Sequence, residues 1–392
     1  MHFYNNPGSS SSRQFFIGAY LFCLLTGYAS ADALPETAAG QFEPIPAFFI
    51  YPPVKPNGTA DEALMSGRVV DDYYAMTDRA SKPWRIAFLF PHIKDPYWVG
   101  CDYGVISEAR RLGVAVDIFP ANGYDDLIGQ LRKMDDVIAA RYDAIVISPL
   151  SLTANNSSIA KARKLGIPVF ELANDSTSDD LTIKVTTSLK GMGIDATEWV
   201  IRDAQQRGLK EINIALLPGP PDAGWVKGEV AGTREAAAKA AIKVNIVDIK
   251  YGDSDRIVQS RLAAELLAEH GKRLDYILGC TGCAPAAILP VKLARLHKTI
   301  RIVAYDLTRE IAGLIRKNEI VGSVDTKGVS QARVVTNAAV SILEGRTMER
   351  PHTILIKLGL VDSGNYASYP FGATTAPVGF KPILSYAPGR GR

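Results

Sequence analysis

The residue types here that could do chemistry are rings and carboxylates. Asp95, Tyr97 and Trp98 fall within four positions, Asn122-Gly123-Tyr124 follows, and Trp225-Val226-Lys227 and Tyr305-Asp306 come later. Aromatic faces attract cations at about 0.5–2 kcal/mol each, and a carboxylate adds charge and hydrogen-bond acceptors. Rings and acids with a single lysine suit a small polar or cationic ligand. Reaction chemistry lacks its signatures: the chain has no Gly-x-Ser-x-Gly elbow, no Walker A lysine loop and no His-Glu-x-x-His pair. Gly219-Pro-Pro-Asp-Ala-Gly224 has the glycines of a phosphate loop, but its prolines remove amide donors. His92 stands without a sequence-evident acid or nucleophile and reads as structural. His270 and His297 are not at ligand spacing, so no metal is expected.

Two series of elements can bring the rings and acids together. Trp84–Phe90 is a continuous apolar run, the mark of a buried parallel strand. A helix from about Pro96 to Leu112 follows, with Asp95 as its N-cap and Pro96 in its first turn. Tyr97 and Trp98 therefore open a helix just past a strand's carboxyl end, where open α/β sheets place ligands. Apolar strands recur at Val114–Phe119, Ala144–Ser148 and Pro168–Leu172, with helical stretches Asp125–Arg141 and Leu152–Leu165 between them. The second series has strands Ile212–Leu217, Val244–Ile249, Tyr276–Gly279 and Ile300–Tyr305. Its helices are about Met192–Gln206, Val226–Ala241, Asp253–His270, Ala284–Leu296 and Thr308–Lys317. Val321–Val324 and the helix Val329–Leu343 close the pattern.

Such alternation predicts an α/β chain of two doubly wound parallel-sheet lobes facing across a cleft. Ile183–Thr187 and Val324–Thr326 pass between the series and form a multi-strand hinge. The expected boundaries are 84–184 plus 326–354 for lobe one and 185–325 plus 355–360 for lobe two. A tail covers 361–392. Residues 32–83, rich in Pro, Gly and small polar residues, read as an extended N-terminal arm.

At 392 residues the chain has room for two domains. Its 44 Lys+Arg against 41 Asp+Glu leave no excess charge for a polyanion, so nucleic acid is not an expected partner. Residues 1–31 read as a signal peptide: Arg13 precedes the apolar run Phe15–Gly27, and Ala29-Ser30-Ala31 is a cleavage site before Asp32. That run is shorter than the roughly 20 residues of a membrane-spanning helix, so the mature protein is expected to be exported and soluble. Cys23 would leave with the signal. Cys101, Cys280 and Cys283 remain. Cys280-Thr-Gly-Cys283 reads equally as a disulfide in an oxidising compartment or as small residues at a tight turn.

The strings Pro91-His-Ile-Lys-Asp-Pro-Tyr-Trp98, Asn122-Gly-Tyr124 and Ala215-Leu-Leu-Pro-Gly-Pro220 resemble the type I periplasmic binding proteins of the ribose-binding, LacI-like class. The resemblance covers about Trp84–Leu360. Within that class the strings are similar to the branch that senses trimethylamine N-oxide together with a membrane histidine kinase. The resemblance implies a ligand cage at Asp95, Tyr97, Trp98, Tyr124 and Tyr305. It would place Lys227 where the class has a ligand-binding arginine, and Asp306 as the acidic contact. It implies a non-enzymatic periplasmic protein without cofactor, whose partner is the outer domain of a sensor histidine kinase. An ATP-driven ABC permease is the alternative partner. A LacI-type regulator would need a helix-turn-helix before Trp84, where this chain offers a secretion signal. One position departs from the branch. Where its members open the first helix of lobe two with tryptophan, this chain reads Thr187-Ser-Leu-Lys190, and Leu189 has no ring face. Trp225 is the candidate substitute, from another loop.

Overall fold

The computed structural model describes residues 44–221, 223–346 and 349–389; the signal peptide read at 1–31, with Cys23, lies outside them. In chain order the first elements are β1 (Ile45–Tyr51), α1 (Ala60–Ser66), β2 (Arg68–Tyr74), β3 (Arg85–Phe90), α2 (Pro96–Leu112) and β4 (Ala115–Pro120). Next come α3 (Leu127–Ala139), β5 (Ala144–Ile147), α4 (Asn156–Lys164), β6 (Val169–Leu172) and β7 (Ile183–Thr186). The second series is α5 (Leu189–Gln206), β8 (Glu211–Gly219), α6 (Gly224–Lys239), β9 (Lys243–Tyr251), α7 (Arg256–His270) and β10 (Tyr276–Gly279). It continues with α8 (Cys283–Leu293), β11 (Arg301–Ala304), α9 (Arg309–Arg316) and β12 (Gly322–Asp325). The last elements are α10 (Gly328–Leu343), β13 (Thr353–Ile356), β14 (Gly359–Asp362) and β15 (Ser385–Tyr386).

Two sheets result. One has the strand order β15-β4-β3-β5-β6-β7-β13-β1-β2, the other β14-β12-β11-β10-β8-β9. In the first sheet β4, β3, β5, β6, β7 and β13 run parallel, as do β9, β8, β10, β11 and β12 in the second. Strand alternation sends Phe88 and Phe90 to the α2/α10 face, while Ala87 and Leu89 pack under α3 and α4. In the second lobe Leu217 and Ile277 face α7 and α8, and Ile214, Leu216 and Leu278 face α5 and α6. Each sheet therefore carries helices on both sides. In each, the first parallel strand lies between the next two, which makes its carboxyl end the topological switch point.

The stretch read as an extended arm is built differently. β1 and β2 form an antiparallel pair, and β1 also pairs with β13, so residues 45–74 widen the first sheet. The proline-rich surroundings mask the aromatic and β-branched content of Phe48-Phe-Ile-Tyr51 and Val69-Val70, which suits strand. A buried charge site fastens the loop before α1. Lys184 Nζ in β7 donates to Asp175 Oδ1 at 2.8 Å and to the Gly58 carbonyl at 3.1 Å, and the Ala60 amide donates to Asp175 Oδ2. Asp61 of α1 then accepts from the Lys190 amide at 2.9 Å and from the Ser188 hydroxyl, at the start of α5 in the other lobe.

The backbone passes between the lobes at β7–α5, β12–α10 and β13–β14, and the tail then returns to pair β15 with β4. That return is anchored at the hinge. Buried Asp325 accepts from Thr374 Oγ1 at 2.6 Å and from the Tyr369 hydroxyl at 2.7 Å. Asp102 in α2 accepts from the Ile383 amide at 3.1 Å.

One helix pair fixes the lobe-two side of the cleft. A Cβ on Gly193 of α5 would stand 2.0 Å from the Glu229 carbonyl of α6, and one on Gly232 of α6 would stand 2.0 Å from the Lys190 carbonyl. Both contacts are backbone, so no side chain can swing aside. Gly193→Ala is expected to lower stability by about 1–3 kcal/mol or more through overpacking, read as a fall in the urea midpoint. An unchanged midpoint would mean that α5 and α6 separate more easily than this packing implies.

Candidate ligand-binding site between the lobes

The β3–α2 junction supplies the first wall. Asp95 caps α2, its Oδ1 accepting the Trp98 amide at 3.0 Å, and Pro96 follows in the first turn. The cap fixes Tyr97 and Trp98 edge to face, with ring centroids 5.2 Å apart. Trp98 also leans on Phe90 at 5.1 Å, and so belongs to the lobe-one core and the cleft at once. From the loop after β4, Tyr124 sits 5.7 Å from His92 and reaches across the cleft to Trp225 of α6 at 6.1 Å. Asn174, after β6, donates from Nδ2 to the Pro149 carbonyl at 3.0 Å and lies within 3.5 Å of the Tyr124 hydroxyl.

The second lobe answers with acids. Asp306 follows β11, and its Oδ1 accepts from the Leu307 amide, the Thr326 amide and the Thr326 hydroxyl at 2.8–3.1 Å. Trp225 and Glu229 are four apart on α6 and share its cleft face. Together these residues line a partly open cavity of about 70 Å³. That is room for about five waters or one compact organic molecule. Leu189, Met192, Thr187, Ser254, Cys280, Thr281, Thr326 and Gln331 complete the wall.

Of the eight residues expected at the ligand, six line this cavity: Asp95, Tyr97, Trp98, Tyr124, Trp225 and Asp306. Tyr305 does not. It is buried in the α5/α6 core, with its hydroxyl 2.9 Å from Thr233 Oγ1, because neighbours in an extended segment point to opposite sides. Lys227 does not either; it is exposed, two residues from Trp225 and about 200° round the helix. Glu229 takes the cleft position on α6, and the i, i+4 spacing from Trp225 is the signal that would have found it. Gln331 carries no such local signal, whereas Asn174 stands on a carboxyl-end loop of lobe one, where the strand–helix pattern places ligands. Cys280 and Cys283 are joined by a disulfide across the start of α8, and Cys280 and Thr281 face the cavity.

The electrostatics are one-sided. The lining contains three carboxyls and no lysine, arginine or histidine. Burial pushes the Asp306 pKa up to about 8, and the nearby Asp325 charge adds to the shift. Burial also raises Glu229 well above the usual carboxylate range, with Asp306 contributing, and it raises Asp95. His92, behind Asp95, is lowered, first by burial. Elsewhere among the described residues, Asp248, Glu269 and His270 gather closely enough to share an ion. There Lys250 Nζ lies 3.3 Å from Asp248 and 2.9 Å from Glu269. No helix of the described residues is long and apolar enough to cross a membrane.

Comparison with known proteins agrees with this architecture. Residues 86–347 match the periplasmic binding protein domain. The periplasmic protein TorT of Escherichia coli K12 is 27% identical over 308 residues, covering 79% of this chain and 86% of TorT. An ABC transporter solute-binding protein from Bradyrhizobium sp. BTAi1, solved with bound bis-tris, superposes with a TM-score of 0.75 at 31% identity. The match covers 88% of this chain and 100% of that one. TorT in complex with the TorS sensor domain, without ligand, gives a TM-score of 0.68 at 23% identity over 77% of this chain and 100% of that one, a likeness of fold. Two parallel-sheet lobes, a multi-strand hinge and the matched domain identify the chain as a member of the periplasmic binding protein family with the type I fold, a solute-binding protein and not an enzyme.

Proposed function

We propose that this protein is exported to the periplasm, binds a small organic cation between its lobes and presents the closed form to a membrane partner. One observation carries the reading: the cavity wall holds four aromatic rings and three carboxyls and no basic side chain. Tyr97, Trp98, Tyr124 and Trp225 would form the cage, and ring faces attract a cation by about 0.5–2 kcal/mol each. Asp95, Asp306 and Glu229 would supply the countercharge. Kinship with TorT, whose complex with the TorS sensor domain was also solved in the presence of trimethylamine N-oxide, nominates that compound, and the bis-tris of the Bradyrhizobium protein nominates a hydroxylated amine. Trimethylamine N-oxide carries a formally positive nitrogen beside a negative oxygen, and a hydroxylated amine gains a positive nitrogen on protonation.

Binding would act on the hinge because Asp95 and the rings of lobe one, with the carboxyls of lobe two, touch one ligand only when the lobes meet. A ligand shifts such an equilibrium by its differential affinity for the two states. The TorT likeness supports a sensor histidine kinase as the partner, since TorT is seen on the TorS sensor domain. The Bradyrhizobium relative supports an ABC permease as the second reading. Deleting the gene separates them: loss of ligand-dependent transcription marks the sensor, and loss of uptake of the labelled ligand marks the transporter. The signal peptide read at residues 1–31 supports export.

A thermal-shift screen with methylamine oxides, betaines, polyamines and pentoses tests the ligand class. Compounds with charged nitrogen are expected to raise the melting temperature and pentoses to leave it unchanged; the reverse pattern would sink the reading. Asp306→Asn keeps an acceptor for the Thr326 and Leu307 donors while removing the charge. It is expected to weaken choline binding about tenfold or more, whereas Lys227→Ala leaves it unaltered.

Asp306 and Glu229 also set a pH dependence. The ligand-free closed form holds a proton on Asp306 up to about pH 8, and a bound cation lowers that pKa. The free protein therefore carries more protons than the complex, and affinity rises with pH below about 8, by up to about tenfold per unit for each proton released. Choline does not titrate, so calorimetry with it in buffers of different ionisation enthalpy reads the release directly. A flat profile would mean that these carboxyls do not exchange protons for the ligand.

A further inference from the structure

Three buried polar atoms of the cavity wall find no hydrogen-bond partner in the protein: Glu229 Oε2, Gln331 Oε1 and Trp225 Nε1. Glu229 is 1% exposed and Gln331 fully buried. Buried polar groups are almost always paired, and one left unpaired forfeits its desolvation cost. These three atoms therefore describe the ligand in negative. Trp225 Nε1 can only donate. Gln331 Oε1 can only accept, and the amide cannot be turned round, because its Nε2 already donates to the Thr326 carbonyl at 2.7 Å. Glu229 accepts when ionised.

A fully methylated amine oxide brings one acceptor and no donor. It could satisfy Trp225, and even a protonated Glu229, yet Gln331 Oε1 would stay unpaired. A quaternary ammonium without hydroxyls satisfies none of the three. A protonated amine bearing hydroxyls brings N–H donors for Glu229, an O–H donor for Gln331 and an oxygen acceptor for Trp225.

We propose that the cavity selects a protonated amino alcohol over fully methylated amines and amine oxides, and that Glu229 and Gln331 impose the choice. The proposal rests on the cation reading above and narrows its ligand class. Glu229 acts as the charged acceptor for the ammonium hydrogens, which a quaternary nitrogen lacks. Gln331 reads a hydroxyl. It sits in the first turn of α10, directly after the β12–α10 passage between the lobes, so it reaches the ligand from the hinge side.

Isothermal titration of the full mature chain with diethanolamine, choline and trimethylamine N-oxide tests this. Diethanolamine is expected to bind about tenfold or more tighter than the other two, as befits at least one unmatched buried group. Glu229→Gln keeps shape and volume; it is expected to lose most of the diethanolamine affinity while changing that for trimethylamine N-oxide little. A wild-type circular dichroism spectrum and urea midpoint for the variant show that the fold is kept. If choline binds as tightly as diethanolamine, the proposal falls and the cation reading stands; if trimethylamine N-oxide does, the proposal falls and a net positive charge is not required of the ligand. Wild-type affinity for diethanolamine in the Glu229 variant overturns the role given to that residue. If none of the three binds, the cation reading falls and the proposal with it.

Discussion

Carboxyl groups gathered in one buried space resist ionising together, and a cation among them relieves that resistance. Asp95 comes from one lobe, Glu229 and Asp306 from the other, and the wall between them carries no basic side chain. Burial raises the pKa of all three. This arrangement favours protons on the acids, or a positive charge among them. Closure is thus tied to charge by the residues themselves, and the rest of the architecture can be read as the means of presenting them.

The hinge is suited to that task. Three backbone passages and a returning tail link the lobes, and buried Asp325 ties the tail to the β12–α10 passage through Tyr369 and Thr374. Residues 45–74, although first in the described chain, lie at the hinge as well. The Lys184–Asp175 site fastens the loop before α1 to lobe one, while Asp61 caps the start of α5 in lobe two. The lobe-two wall is close-packed, because α5 and α6 meet through glycines that leave no room for a Cβ.

Much of this was legible in the sequence. Strand–helix alternation gave the two lobes, and the Asp95-Pro96 start of α2 follows from capping chemistry alone. The errors have particular physical causes. Tyr305 and Asp306 were both assigned to the ligand, although neighbours in extended chain face opposite ways; Asp306 took the cleft and Tyr305 the core. Lys227 was placed by analogy with an arginine, although the helical period puts Trp225 and Glu229 on one face and Lys227 off it. Gln331 could not be found locally, because it reaches the cavity only through the β12–α10 passage. The β1–β2 pair was hidden by prolines at its borders, and its pairing with β13 joins residues some three hundred apart.

The aromatic side chains then decide how finely closure is poised. Tyr124 meets Trp225 across the cleft, a ring contact that exists only when the lobes are together. Such a pair contributes roughly 0.5–1.5 kcal/mol beyond its burial. Against it stands the proton held on Asp306, whose pKa rises from an ordinary 3.8 to about 8. At neutral pH that displacement opposes closure by at most a few kcal/mol, since part of the burial persists when the lobes part. The rings and the acids thus act on closure in opposite directions, and a cation that neutralises the acids also gains the ring faces. On the proposed reading, one ligand would remove the opposing term and add to the favourable one, so that a small molecule could bias two lobes.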